Sequence, residues 1–205
     1  KLLTNKLKFK QEDIDKSVKV AHFSKHDLVS NMVDEFPELQ GIIGSKYLLH
    51  EGESRDICLA VLEHYKPKGS SDSLPSNHLG NAVSLADRFE LLLSIFVKGE
   101  RPTGSSDPYA LRRAANGIIL ILWNEDWRLN INEIIKDSLI YWQQLFPDLY
   151  FDVNSLYSEL IEFFRQRILS LLEEKEIDFD IIQAIAGDTI PTSTILDDPT
   201  DVDFR

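Results

Sequence analysis

Apolar residues recur at helical spacing along nearly the whole chain. Over residues 10–23 the pattern sets Ile14, Val18 and Ala21 on one face. Ser24, with Asp27 three positions later, reads as a capping-box-like start for the next helix, whose apolar positions Leu28, Met32 and Phe36 follow at i, i+4 and i+8. Pro37 opens a further segment with Leu39, Ile42, Ile43 and Tyr47 apolar, in which Gly41 and Gly44 allow a neighbouring helix to come close. Residues 53–65 gather Ile57, Ala60, Val61 and His64 on one face, and "KPKGSSDSLPSN", 66–77, is loop by composition. A long helix then runs through Leu79, Val83, Ala86, Phe89 and Leu93. Asp107–Pro108 closes a second loop and predicts an N-cap with proline in the first turn. The helix behind it is apolar almost all round at 118–123, which predicts a central position. Helices are also predicted at 131–146 and 153–175, followed by a short one, "DFDIIQAIAG", ending at Gly187. Residues 188–205 hold two prolines and five aspartates with little periodicity and read as an extended acidic linker.

Composition agrees with an all-α fold: 43% of the 205 residues are hydrophobic and only nine glycines and eight prolines interrupt them. The net charge of −12 argues against a grip on nucleic acid by the whole domain and leaves room for a local basic patch. A single cysteine, Cys58, excludes an internal disulfide and a cysteine-based zinc site, and a reducing cytoplasm is the expected setting. The longest apolar run, "IILILW" at 118–123, falls far short of the roughly 20 residues of a membrane span, so a soluble protein is expected. The chain begins at Lys1 and "KLLTNKL" reads as the middle of a helix, which suggests a piece of a longer polypeptide.

Five residues raise the possibility of a metal centre for phosphoester hydrolysis: His22, His26, Asp27, His64 and Asp87. Each has a plainer role available. His64 suits a hydrogen-bonded core histidine, Asp87 an acceptor for a loop or an arginine, and His26–Asp27 a helix cap with a solvated neighbour. The segments "AVLEHYKPKGSSDSLP" and "AVSLADRFE" resemble the later half of the HD superfamily of metal phosphohydrolases. That resemblance lays the superfamily's His-Asp positions on Ser24 and Lys25. His26–Asp27 lies two residues further on, about 200° around a helix. A lysine then stands where a ligand belongs, so Ser24, Lys25, His64 and Asp87 make a degenerate pocket with no catalytic residue and no metal.

A closer resemblance lies in "FSKHDLVSNMVDEFPELQGIIG" (23–44), "EHYKP" (63–67), "LADRF" (85–89) and "PTGSSDPYALRRAANG" (102–117). These resemble the β subunit of bacterial heterotetrameric glycyl-tRNA synthetase, and "DFDIIQAIAG" is similar to that family's entry into its anticodon-binding region. The resemblance implies an HD-like helical domain over 1–147, a helical segment leading toward the anticodon-binding region over 148–187, and the linker over 188–205. It implies a cytoplasmic ligase subunit that works with an α subunit and tRNA(Gly) in a heterotetramer. ATP and Mg are used by the whole enzyme, and this stretch binds no cofactor and catalyses nothing alone. Lys98, Arg101, Arg112 and Arg113 are the cations offered for tRNA contact, beside backbone N–H groups around Ser105–Asp107; pairing of Arg112 and Arg113 with nearby acids is the structural alternative. Lys66 and Lys68 form a second candidate patch, and Trp123, Trp127 and Trp142 read as core. Two other functions remain open on the residues: an active metal-dependent HD phosphohydrolase acting on nucleotides, and a purely architectural domain.

Overall fold

A computed structural model describes residues 1–69, 71–175, 177 and 180–182. The described residues are all-α: their only β feature is an isolated antiparallel bridge between Thr103 and Ser106. The extended linker expected at 188–205, and most of the short helix before it, lie outside the described residues. The chain divides into two compact units that meet in sequence between Arg88 and Phe89.

The first unit holds α1 (Leu2–Lys6), α2 (Gln11–Phe23), α3 (Asn31–Glu35), α4 (Ile42–His50), α5 (Arg55–Glu63) and the first half of α6 (His78–Val97). α5 packs against α2 and α4. Val20, Leu48, Ile57, Cys58, Ala60, Val61, Leu79 and Val83 make the core, with Phe23 against it. The buried face of α2 is Ile14, Ser17 and Val20, one residue off the predicted one. Val18 and Ala21 face solvent, and Ser17 tolerates burial because its hydroxyl is satisfied within its own helix, donating to Asp13 O at 2.7 Å.

The expected helix after Ser24 is broken. Ser24 is the C-cap of α2, and its hydroxyl donates to Ala21 O at 3.0 Å. A 3₁₀ turn, His26–Val29, follows, and Ser30 starts the five-residue α3 by accepting from Val33 N. Leu28, Met32 and Phe36 therefore do not share a buried helix face; each is about two-fifths exposed, at 44%, 40% and 45%.

The second unit contains the rest of α6, then α7 (Leu111–Glu125), α8 (Ile131–Leu145) and α9 (Val153–Glu174). α9 packs on both α7 and α8. Ile118, Ile119, Ile121 and Leu122 are fully buried, which places α7 at the centre as its apolar run predicts. Phe96 meets Phe163, and Phe89 meets Phe164, with ring centroids 5.4 and 6.0 Å apart. Side-chain caps define the later helices: Asn130 accepts from Glu133 N at 2.9 Å and Asp152 from Asn154 N at 2.9 Å. The three tryptophans are half-buried, and the core belongs to aliphatic and phenylalanine side chains.

Candidate functional site

The first unit gathers Lys25, Asp27, His64, Tyr65, Asp87 and Arg88 at the end of α5. Lys25, just beyond α2, places its ammonium on the Asp87 carboxylate. His64 caps the C-terminus of α5 and is fully buried. Its Nδ1 lies 2.7 Å from Val61 O, so that nitrogen carries the proton and donates, and Nε2 is left as a buried acceptor with no partner among the described residues. Burial pushes the imidazole pKa below its ordinary value, against the opposing pull of Asp87 and Asp27, so His64 is neutral at pH 7.

Asp27 departs from its predicted place in a capping box begun at Ser24. It is 1% exposed, and its Oδ2 accepts from Gly41 N at 2.7 Å and Gly44 N at 3.1 Å. Those amides open α4, so Asp27 caps a helix that begins fifteen residues after it. Because α2 ends at Phe23, the 100° step per residue does not carry across 24–27, and Asp27 turns inward. A buried carboxylate cradled by amides also explains the glycines. Gly41 has φ +81°, and a Cβ on Gly44 would sit 3.0 Å from Asp27 Oδ2. His22 is exposed on Phe23, and His26 packs edge-on to Phe23 with its Nδ1 on Phe23 O. Among the described residues, no three His, Cys, Asp or Glu side chains are grouped so as to hold a metal ion.

Two residues here escaped the sequence reading. Arg88, 8% exposed, donates to Tyr65 O at 3.2 Å, Pro67 O at 2.7 Å and the Ser84 hydroxyl. Burial lowers its pKa to about 10, so it stays charged and clamps the loop after α5. The signal was a charge at a helical position whose neighbours Leu85 and Phe89 are core. Glu63 pins the other end of that loop, accepting from the Ser76 hydroxyl at 2.6 Å, Ser76 N at 2.7 Å and Lys66 Nζ at 2.9 Å. Burial raises the Glu63 pKa, but the donors from Ser76 and Lys66 outweigh it and hold the carboxyl below its ordinary value. A depressed carboxyl stabilises the fold above its unfolded pKa and loses that contribution as pH falls through the folded one. The stability gap between wild type and Glu63→Gln is therefore expected at pH 7 and to close below about pH 4; urea midpoints measured from pH 7 to 3 check this, and a gap independent of pH would overturn it.

In the second unit the four predicted cations separate into two pairs. Arg101 is committed: its Nε donates to Glu159 at 2.6 Å, Nη1 to Phe96 O at 2.7 Å, and the guanidinium stacks on the Phe96 ring at 4.2 Å. Lys98 donates to the Tyr109 hydroxyl at 3.2 Å and lies 3.7 Å from Glu100. Arg112 is half-buried and Arg113 exposed, and the pairing with nearby acids proposed as their alternative is not made: among the described residues neither guanidinium has a hydrogen bond or ion pair. The amides before α7 are less available than expected. α7 starts at Leu111, after Ala110 in the left-handed region at φ +57°, and Asp107 accepts from Leu111 N at 2.8 Å and Arg112 N at 3.0 Å. Ser106 N donates to Thr103 O at 2.7 Å. Lys66 is paired with Glu63, and Lys68 N donates to Asp72 at 2.8 Å.

Comparison with known proteins adds to this geometry. The family model described as glycyl-tRNA synthetase beta subunit matches residues 1–187. A glycine–tRNA ligase beta subunit from Trichodesmium erythraeum is 44% identical over 190 residues, covering 92% of this chain and 26% of the relative. Proteins of the same name from Oceanobacillus iheyensis and a Picosynechococcus species are 41% and 40% identical, covering 89% and 99% of the chain. The chain spans about a quarter of the length of these curated relatives. No helix among the described residues is long and apolar enough to cross a membrane.

Proposed function

The chain belongs to the glycyl-tRNA synthetase beta subunit family, and from that premise we propose that it serves the ATP-dependent joining of glycine to tRNA(Gly) by contacting the tRNA and by helping to assemble the enzyme with an alpha subunit. The proposed setting is the cytoplasm, the assembly a heterotetramer, and the consumers of ATP and Mg lie elsewhere in the enzyme. The HD-like scaffold expected over 1–147 carries the pocket Ser24, Lys25, His64 and Asp87, all within the first unit, and that pocket is non-catalytic. Lys25 on Asp87 favours this reading, since an ammonium takes up the carboxylate that a cation would need. The relatives lend the phosphohydrolase alternative no support.

The observation that carries tRNA contact is the pair of unpartnered guanidiniums at the start of α7. In an acidic chain a local cation cluster is what a phosphate backbone can use. Arg112→Glu with Arg113→Glu, introduced into the assembled synthetase, is expected to weaken tRNA binding about 100-fold and to flatten the slope of log K against log salt by about 2. Filter binding across a salt series reads both. Unchanged affinity and slope would leave this region a purely architectural role.

A further inference from the structure

We infer that Arg112 and Arg167 together form a seat for one phosphate group of a bound RNA backbone. The inference rests on the tRNA-contact reading and deepens it by naming a second helix and a residue 55 positions away in the sequence. Arg112 lies in the first turn of α7 and Arg167 on α9, and these two helices pack directly on each other.

Arg167 is an unusual residue to leave unanswered. Its Nε is buried and has no hydrogen-bond partner among the described residues. Such a donor is ordinarily satisfied. Burial lowers the Arg167 pKa, and the like charge of Arg112 lowers it further. Two guanidiniums that act on each other without a carboxylate bonded to either repel, and an oxyanion held by both removes the repulsion and takes up the orphan donor.

Two acids lie near enough to matter, Asp107 and Glu174. Asp107 is engaged: both its oxygens accept from amides at the start of α7. Glu174 is exposed at the end of α9, and among the described residues it forms no ion pair with either arginine. Neither therefore fills the seat. A tetrahedral phosphate suits it because its non-bridging oxygens diverge and can be reached from two helices, whereas a carboxylate offers a single plane. Arg113, exposed and unpartnered beside Arg112, extends the positive charge outward, which fits a chain of phosphates rather than a free ion.

The test uses the assembled synthetase with tRNA as probe, measured by fluorescence anisotropy across a salt series, and inorganic phosphate as a second probe. Arg112→Gln and Arg167→Gln are each expected to weaken tRNA binding about ten-fold. Because both cations serve one phosphate, the double variant should flatten the salt slope by about 1, not about 2. A loss of about 2 would mean two separate phosphate contacts and overturn the shared seat. So would full tRNA affinity in a folded Arg167→Gln alongside a loss in Arg112→Gln; that outcome leaves tRNA contact standing. Arg167→Lys guards against a folding failure, since it keeps the charge, loses the fork, and should still weaken binding. If Arg112→Glu with Arg113→Glu leaves the synthetase's tRNA binding unchanged, the parent reading fails and the second probe decides alone. Movement of the Arg112 and Arg167 side-chain Nε resonances of the wild type with inorganic phosphate supports the seat, and immobility of both overturns it.

Discussion

Asp27→Ala is expected to cost about 3–5 kcal/mol of folding stability, because two charge-assisted hydrogen bonds in a water-excluded place are lost together. One carboxylate oxygen accepts from Gly41 N at 2.7 Å and Gly44 N at 3.1 Å, and the residue is 1% exposed. Without it the first amides of α4 face a cavity that has neither their acceptor nor free water. Asp27→Asn, which keeps an acceptor oxygen but not the charge, should lose about half as much. Gly44→Ala should act in the same direction, since its methyl would press on the same carboxylate from 3.0 Å. His26→Ala, next door and only half-buried, should stay within about 1 kcal/mol of wild type. Urea denaturation of the four variants gives the ranking. Equal losses at 26 and 27, or a loss below about 1 kcal/mol at Asp27, would show that α4 finds its N-terminal acceptor elsewhere.

The contrast between His26 and Asp27 also marks how far the sequence was legible. All-α class, the central place of α7 and the limits of α8 and α9 followed from apolar period, because long helices repeat the signal several times. Residues 24–41 did not follow. There the chain uses a C-cap, a 3₁₀ turn and a one-turn helix, each too short for periodicity to register. The role of Asp27 depends on amides 14 and 17 residues away, and only the pairing of one aspartate with two glycines hinted at it. The start of α7 misled for a related reason. Asp107 does cap, but across Ala110 in a left-handed conformation, so the helix opens at Leu111 and Pro108 precedes it.

Among the candidate residues, sequence grouped Lys98, Arg101, Arg112 and Arg113 by proximity in number. Geometry separates them by what each already holds: Arg101 an aromatic ring and Glu159, Lys98 a tyrosine hydroxyl, the other two nothing among the described residues. Arg167 was invisible because nothing in "FFRQRIL" distinguishes an arginine with a buried, unpartnered Nε from one in water. Arg165, two residues earlier, is the ordinary case, paired with Glu162 at 3.0 Å.

Phe164→Ala is expected to cost about 3–5 kcal/mol, the range for emptying a fully buried aromatic site. The side chain is 0% exposed in α9, and its ring centroid lies 6.0 Å from that of Phe89. Phe164→Leu refills most of the volume and should lose only about 1–1.5 kcal/mol. Phe164 stands three residues before Arg167, so the same packing that holds α9 also sets where that guanidinium lies. The two roles separate in a binding measurement. At a temperature where Phe164→Leu is folded, its tRNA affinity should fall by less than about three-fold, against about ten-fold for Arg167→Gln. Thermal melts with anisotropy titrations on the same samples make the comparison. If Phe164→Leu loses as much affinity as Arg167→Gln while remaining folded, binding is governed by the packing of α9 and not by the charge it carries.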